Sequence, residues 1–142
     1  MKNKIYIASD HAGFKLKKEI LNANKDLLED LGTNSTESVD YPNFAKNLIK
    51  SMKKDKNSKG ILICGTGNGM AITANRHKNI RAGLVFDKEV AKLIRQHNNA
   101  NVLVLPGRFI DIQEALKCVD IFLSTKFEEG RHKKRIEMIN TD

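Results

Sequence analysis

A cysteine stands between a short apolar run and a glycine-rich turn. The run covers residues 61–64 and ends at Cys64, residues 70–75 have helical character, and the turn between them contains Gly65, Gly67 and Gly69. This order predicts a buried strand, a turn and a helix. Glycines let backbone N–H groups converge on an anion, and a helix amino terminus adds partial positive charge, so both features favour a thiolate. Alternatively, Cys64 is only a small hydrophobic residue buried in the core. A catalytic role for Cys64 therefore requires partner residues from elsewhere in the chain. The turn lacks the Gly-Lys-Ser/Thr ending of a P-loop, which argues against nucleoside triphosphate hydrolysis.

Polar residues also follow other predicted elements. Asp10 and His11 come directly after an apolar run, Arg108 comes shortly after another, and His97 and Asn98 end a predicted helix. Because ligands bind at the carboxyl ends of parallel strands, we expect one edge of a sheet to gather most of these side chains near Cys64. Taken singly they also suit structural roles, Asp10 as a helix cap and His97 as an exposed helix end.

Two arginines lie four residues apart in the basic segment Arg131-His-Lys-Lys-Arg135. On a helix they share one face, and two guanidinium groups on one face suit an anion with several oxygens, such as phosphate. A solvated run of charge is the alternative. Together, a thiol at an anion-stabilising turn, an imidazole, a carboxylate and an arginine pair indicate carbanion chemistry on a phosphorylated metabolite.

The elements that would position these residues alternate between strand and helix. Strands are predicted at residues 5–8, 26–31, 61–64, 81–86 and 101–105, and helices at 14–23, 42–52, 70–75 and 87–97, from 111 onward and from 131 onward. Residues 26–31 fit a continued helix about as well as a strand. The pattern predicts an α/β fold, a three-layer Rossmann-like domain whose parallel sheet has about five strands with helices on both faces. The last helix has little apolar surface, which suits either packing on a partner subunit or a frayed end.

Length, charge and cysteine content limit the class of protein. A chain of 142 residues suits one domain, and many of the lysines behind its net charge of +8 are scattered on predicted helix faces, as on a solvated surface. Cys64 and Cys118 show neither metal-ligand spacing nor a disulfide framework, so both are expected to be reduced. No apolar stretch approaches the ~20 residues of a membrane span, and the amino terminus is too short in apolar residues for a signal peptide. The expected location is cytoplasmic.

Several sequence blocks resemble the ribose-5-phosphate isomerases of the B type, a family that extends to bacterial galactose-6-phosphate and allose-6-phosphate isomerases. The blocks occur in the family's order and cover nearly the whole chain. They are Ser9-Asp-His-Ala-Gly-Phe14, Leu31-Gly-Thr-Asn34, Val39-Asp-Tyr-Pro42, Gly60-Ile-Leu-Ile-Cys-Gly-Thr-Gly67, Ala74-Asn75, Ile80-Arg-Ala82, Arg95-Gln-His-Asn98, Asn101-Val-Leu103 and Gly130-Arg-His-Lys-Lys-Arg-Ile136.

The resemblance implies one sugar-phosphate isomerase domain over residues 1–142, with Cys64 as the base that moves a proton between C1 and C2. The backbone from Gly65 to Gly69 would hold the developing enediolate, and Thr66 and Asn68 belong to that loop. His97 would assist opening of the furanose ring, with Asp10 and Thr66 nearby. Some family members instead carry a glutamate shortly after the loop, but Met70 stands at that position here, so the thiol version fits.

The remaining roles implied by the resemblance concern substrate binding and assembly. Asn98 would bind sugar hydroxyls, and Tyr41 would form a wall of the pocket. The phosphate would be held by His11, Arg108, Arg131 and Arg135. The family implies a homodimer, or a tetramer, in which each site borrows residues from a neighbour, and it implies neither a cofactor nor a metal.

The expected reaction is the interconversion of D-ribose 5-phosphate and D-ribulose 5-phosphate. One alternative is the same chemistry on a six-carbon sugar phosphate, allose 6-phosphate or galactose 6-phosphate. A more distant alternative is a non-catalytic module that binds nucleotides or polyanions, which the basic charge would suit. That alternative gives no reason for Cys64 and His97 to share a site.

Overall fold

The structure is a computed structural model, and it describes residues 3–141. One parallel sheet contains Ile5–Ser9 (β1), Glu29–Asp30 (β2), Lys59–Cys64 (β3), Ala82–Leu84 (β4) and Val102–Pro106 (β5). The strand order across the sheet is β2-β1-β3-β5-β4. The α-helices are Phe14–Ala23 (α1), Tyr41–Lys53 (α2), Asn68–Ala74 (α3), Lys88–Gln96 (α4), Ile112–Ser124 (α5) and Arg131–Ile139 (α6), and a short 3-10 helix covers His11–Gly13. The predicted α/β fold with a parallel sheet is confirmed.

Helices cover both faces of the sheet, and the alternation along β3 shows how. Ile61 and Ile63 belong to an apolar cluster with buried residues of α1, α4 and α5. Leu62 and Cys64 belong to a second cluster, built with α2 and α3. Successive residues of a strand point to opposite faces, so a central strand in a three-layer fold must be apolar at every position. The Cys64 side chain therefore belongs to the α2/α3 layer.

The second strand is shorter than predicted and begins later. The sequence predicted a strand over residues 26–31, whereas Asp26 adopts a positive φ of 65° in a turn in which the Leu27 N–H bonds to the Asn24 carbonyl at 3.1 Å. Pairing with β1 nevertheless continues past the assigned end, because the Leu31 N–H donates to the Ile7 carbonyl at 2.8 Å. A side chain also secures β2, since the Asp30 carboxylate forms an ion pair with Lys17 of α1.

The other helices lie where the sequence places them. Asp87 caps α4 as predicted, and its carboxylate accepts a hydrogen bond from the Val90 N–H at 2.9 Å. In α6 only His132 is buried, and Ile139 is 60% exposed. Residues 3–141 contain no helix with the length and apolar character needed to cross a membrane.

Candidate active site

Three predicted site residues lie together at the carboxyl edge of the sheet. Asp10 follows β1, Cys64 ends β3 and Arg108 follows β5. Backbone hydrogen bonds join these segments: the Asp10 N–H donates to the Ile63 carbonyl at 3.2 Å, and the Arg108 N–H donates to the Gly65 carbonyl at 3.0 Å. The edge of the sheet is therefore one connected surface carrying a carboxylate, a thiol and a guanidinium.

Cys64 leads directly into a turn with free backbone donors. The predicted order of strand, turn and helix is confirmed, with Gly67 at a positive φ of 81° immediately before α3. The Thr66 hydroxyl accepts a hydrogen bond from the Asn68 N–H at 3.2 Å. Within residues 3–141, the N–H groups of Thr66 and Gly67 have no hydrogen-bond acceptor. Two unpaired amides in one turn can bind an oxyanion.

The two cysteines differ in their surroundings. Cys64 is 4% exposed at the edge of the sheet, whereas Cys118 of α5 is fully buried in the apolar layer beneath α4. Burial, with the nearby carboxylates of Glu114 and Asp87, raises the pKa of Cys118 to about 12. Cys118 is therefore a structural thiol. The low exposure of Cys64 fits a core cysteine as well as a shielded base, so its catalytic role stays a prediction.

Asp10 and His11 are fixed by local hydrogen bonds. The Asp10 carboxylate is 6% exposed and accepts a hydrogen bond from the Gly13 N–H at 3.1 Å, which confirms that it caps the short 3-10 helix. His11 Nδ1 accepts a hydrogen bond from the Val39 N–H at 3.2 Å. A neutral imidazole that accepts at Nδ1 carries its proton on Nε2. His11 can therefore donate from Nε2 to an anion.

Tyr41 and Arg108 border the glycine-rich turn at its two ends. A Cβ atom at Gly69 would lie 2.4 Å from Tyr41 Cε1, so the ring rests directly on the glycine backbone. A Cβ atom at Gly65 would lie 3.5 Å from the guanidinium of Arg108. The turn is thus flanked by an aromatic ring and a positive charge. Position 69 must be glycine because any side chain there would collide with the Tyr41 ring.

The carboxyl edge gathers most of the polar residues that follow predicted elements, as expected, but four predicted site residues lie at the opposite end of the sheet. They are His97, Asn98, Arg131 and Arg135. In a parallel sheet a helix must run back from the carboxyl end of one strand to the amino end of the next, so the end of α4 lies where β5 begins. Pairs in the register join Gly60 to Val102 and Cys64 to Pro106. Four residues at about 3.3 Å each separate those levels by about 13 Å, so within one chain His97 cannot contact Cys64.

A histidine pair characterises this second cluster. The rings of His97 and His132 stack with centroids 4.4 Å apart and an interplanar angle of 15°. His132 Nε2 lies 3.6 Å from the Glu128 carboxylate. Burial, with the charges of His97 and Arg131, lowers the pKa of His132. Neither His132 nor Glu128 was predicted as a site residue, although His132 lies within the basic segment that was predicted to bind phosphate.

Arg95 is a further residue that the sequence analysis missed, and it holds the second cluster in place. It is buried, and its guanidinium donates to the Asn99 side chain at 2.9 Å, the Ala100 carbonyl at 2.8 Å and the Thr125 carbonyl at 3.0 Å. Burial, with the charge of Arg81, lowers the pKa of Arg95. These bonds fix the turn after α4 and the segment that leads to α6, so they position His97 relative to His132.

A cavity of about 290 Å³ adjoins Asn98. Its lining is mostly apolar and includes Ile80, Ile94 and Ile139. None of the lining residues belongs to the carboxyl edge that carries Cys64. The cavity therefore adjoins the second cluster alone.

Comparisons with known proteins agree on one family. The family model described as Ribose/Galactose Isomerase matches residues 5–139. The chain is 47% identical over 143 aligned positions to a Mycoplasma pneumoniae protein named probable ribose-5-phosphate isomerase B, covering 98% of this chain and 94% of that one. The crystal structure of a ribose 5-phosphate isomerase from Thermotoga maritima is similar at 50% identity, with a TM-score of 0.94 and all of both chains covered. The ribose-5-phosphate isomerase B of Mycoplasma genitalium with bound ribulose-5-phosphate is similar at 46% identity, with a TM-score of 0.91 and 98% and 95% of the two chains covered.

Proposed function

The chain belongs to the ribose/galactose isomerase family, and on that premise we propose that it interconverts D-ribose 5-phosphate and D-ribulose 5-phosphate. The observation that carries the proposal is the placement of Cys64 directly before a turn with unpaired N–H groups. The similarity to an isomerase that holds ribulose-5-phosphate supports the five-carbon substrate. We treat residues 1–142 as one isomerase domain.

Cys64 is the proposed base. Its thiolate removes the proton from C2 of the open-chain aldose, and the electron pair of the C–H bond forms the C1–C2 double bond of an enediolate with negative charge on O1. Return of the proton to C1, with transfer of the hydroxyl proton from O2 to O1, gives the ketose. An acid–base group of this kind contributes roughly 10²–10⁴-fold to the rate. The free amides of Thr66 and Gly67 are the proposed donors to the oxyanion, and one such donor is worth roughly 10²–10³-fold.

His97 is the proposed group for opening the furanose ring, which must precede proton abstraction because only the open chain has an acidic C2–H. Ring opening requires removal of the proton from the anomeric hydroxyl and delivery of a proton to the ring oxygen, and an imidazole can do both near neutral pH. Asp10 and Thr66 are proposed to lie beside the sugar at the same step, and Asn98 to bind its hydroxyls.

The distance between the two clusters leads us to propose a homodimer with shared sites. The carboxyl edge of one subunit would face the amino edge of its partner, so that Cys64 of one chain meets His97 of the other. The same pairing would bring His11 and Arg108 to one side of the phosphate and Arg131 and Arg135 to the other. A two-fold axis would generate two equivalent sites. Anchoring the phosphate supplies binding energy that orients C1 and C2, with Tyr41 as a wall of the pocket.

The function is tested by incubating the purified protein with D-ribose 5-phosphate and following ribulose 5-phosphate by NMR. Cys64→Ala and Cys118→Ala form a matched pair, because each removes one thiol by the same truncation. We expect the first to lose most activity and the second to keep it. Faster turnover of allose 6-phosphate or galactose 6-phosphate would assign a six-carbon substrate to the same isomerisation reaction. No turnover of any sugar phosphate would overturn the proposal.

A further inference from the structure

Two histidines and a glutamate come together at the amino edge of the sheet. The donor atoms of His97, Glu128 and His132 all lie within 4.8 Å of one another. We propose that these residues form an inhibitory site for a divalent transition-metal ion such as Zn²⁺, which binds by drawing His97 away from its catalytic position. The binding stands on this geometry alone, whereas the inhibition rests on the proposed function of His97.

The donor set and its spacing suit zinc. Two imidazoles and a carboxylate form a common three-residue zinc site in proteins, with the fourth position open to water. Metal–ligand distances of about 2.1 Å in a tetrahedron place the donor atoms about 3.4 Å apart. His132 Nε2 and the Glu128 carboxylate are already 3.6 Å apart, so this side of the site is nearly formed.

The three residues combine a fixed frame with a movable ligand. His132 is 8% exposed, and the backbone of Glu128 is tied to α4 because its N–H donates to the Gln96 carbonyl at 3.1 Å. The Glu128 side chain itself is 49% exposed and free to adjust. His97 is half-buried and forms the carboxyl-terminal cap of α4, where its N–H donates to the Leu93 carbonyl at 2.8 Å.

Metal binding has an identifiable cost. The two rings stack at 15°, and nearly parallel stacked imidazoles cannot aim their nitrogen lone pairs at one ion, so the stack must open. Arg131 and Arg135 lie on the same helix as His132 and repel a cation. Both effects make the site weaker than a structural zinc site, which suits reversible inhibition.

The inhibitory consequence follows from the chemistry of imidazole. A histidine whose nitrogen is bound to a metal has no lone pair there for the proton of the anomeric hydroxyl. A rotated His97 would also leave the face it is proposed to present to the partner's Cys64. The ion would therefore stop ring opening and spare proton transfer on an open-chain substrate.

Binding is tested with Co²⁺ as a spectroscopic probe, whose visible absorption reports tetrahedral ligands. Cys64→Ala is the parent protein for this assay, because it removes the thiol at the carboxyl edge of the sheet that could compete for the metal. We expect saturable binding to this parent, a decrease of at least about tenfold in affinity after Glu128→Gln, and loss of the spectrum after His132→Phe, which preserves an aromatic stack. His77→Asn is the control, since His77 lies outside the cluster, and it should bind like the parent. No spectral change in the parent, or equal binding by the Glu128→Gln protein, would overturn the site.

Inhibition is tested separately in the chain with Cys64 intact. Zn²⁺ should slow the conversion of D-ribose 5-phosphate, a chelator should restore it, and the Glu128→Gln protein should need at least about tenfold more Zn²⁺ for the same fractional inhibition. Binding without inhibition would overturn the inhibitory role. An absence of isomerase activity in the metal-free protein would instead overturn the proposed function and leave the binding result standing.

Discussion

Two inactive variants, Cys64→Ala and His97→Asn, should recover activity when their chains are mixed. Cys64 is level with Pro106 in the sheet, whereas His97 lies before Val102, at the other end of β5. The resulting separation of about 13 Å along the strands is far beyond hydrogen-bond reach, so a site that needs both residues must take them from two chains. In a mixed dimer one site then receives both substitutions and the other receives neither.

The magnitude of the recovery follows from this arrangement. With equal amounts and random exchange, about half of the dimers are mixed, and about half of the sites in a mixed dimer are intact in an isologous two-fold assembly. The expected activity is therefore about a quarter of that of the unsubstituted protein.

The assay uses chains carrying two different affinity tags, denatured together, refolded and purified through both tags in succession, which isolates the mixed dimers. Their turnover of D-ribose 5-phosphate should reach about half that of the unsubstituted dimer, because one site of the two works. The matched control mixes Cys64→Ala with Asp10→Asn. These residues lie on the same sheet edge of one chain, so every site in that mixture keeps a defect and activity should not return. Doubly tagged Cys64→Ala/His97→Asn dimers without activity, or equal recovery in the control mixture, would refute the shared site.

Three further outcomes concern single residues. Gly69→Ala should lower kcat/KM and cost about 1–3 kcal/mol of stability in urea unfolding, because the new Cβ would lie 2.4 Å from Tyr41 Cε1; unchanged values would mean that the ring is not held there. Arg135→Ala should raise KM for D-ribose 5-phosphate by roughly 10- to 100-fold, as expected for a lost charge-assisted hydrogen bond, and an unchanged KM in steady-state kinetics would argue against phosphate binding. Iodoacetamide should alkylate Cys64 before Cys118, whose pKa is raised to about 12 and whose side chain is fully buried. Mass spectrometry showing early modification of Cys118 in the folded protein would contradict that order.

The sheet and its helices could be predicted because β1, β3 and β5 lie in apolar runs that end at a polar or glycine-rich turn. The extent of the strands could not. Asp26 enters a turn and β2 retains only Glu29 and Asp30, since ladder length depends on neighbours in space that a local pattern does not contain. The ion pair between Lys17 and Asp30 is likewise a contact between distant elements.

The residues of the candidate site also divide into those that the sequence could place and those that it could not. The residues at the carboxyl edge could be placed from the sequence, because a parallel sheet collects the ends of its strands there. His97 was grouped with them as a polar residue at the end of a predicted helix, although the direction of α4 places it at the other edge. His132, Glu128 and Arg95 were missed because their roles depend on packing between α4 and the segment before α6, and no short-range spacing reports that packing.

Exchange of substrate hydrogen with solvent deuterium tests the base directly. In D₂O the unsubstituted protein should incorporate deuterium at C1 or C2 of the sugar during the interconversion of the two pentose phosphates. ¹H NMR would follow the loss of the signals of the hydrogens on these carbons. We expect Cys118→Ala to exchange at the unsubstituted rate and folded Cys64→Ala to exchange more slowly by roughly 10²–10⁴-fold. Equal exchange rates in the two variants would show that another group moves the proton and would contradict the assignment of Cys64.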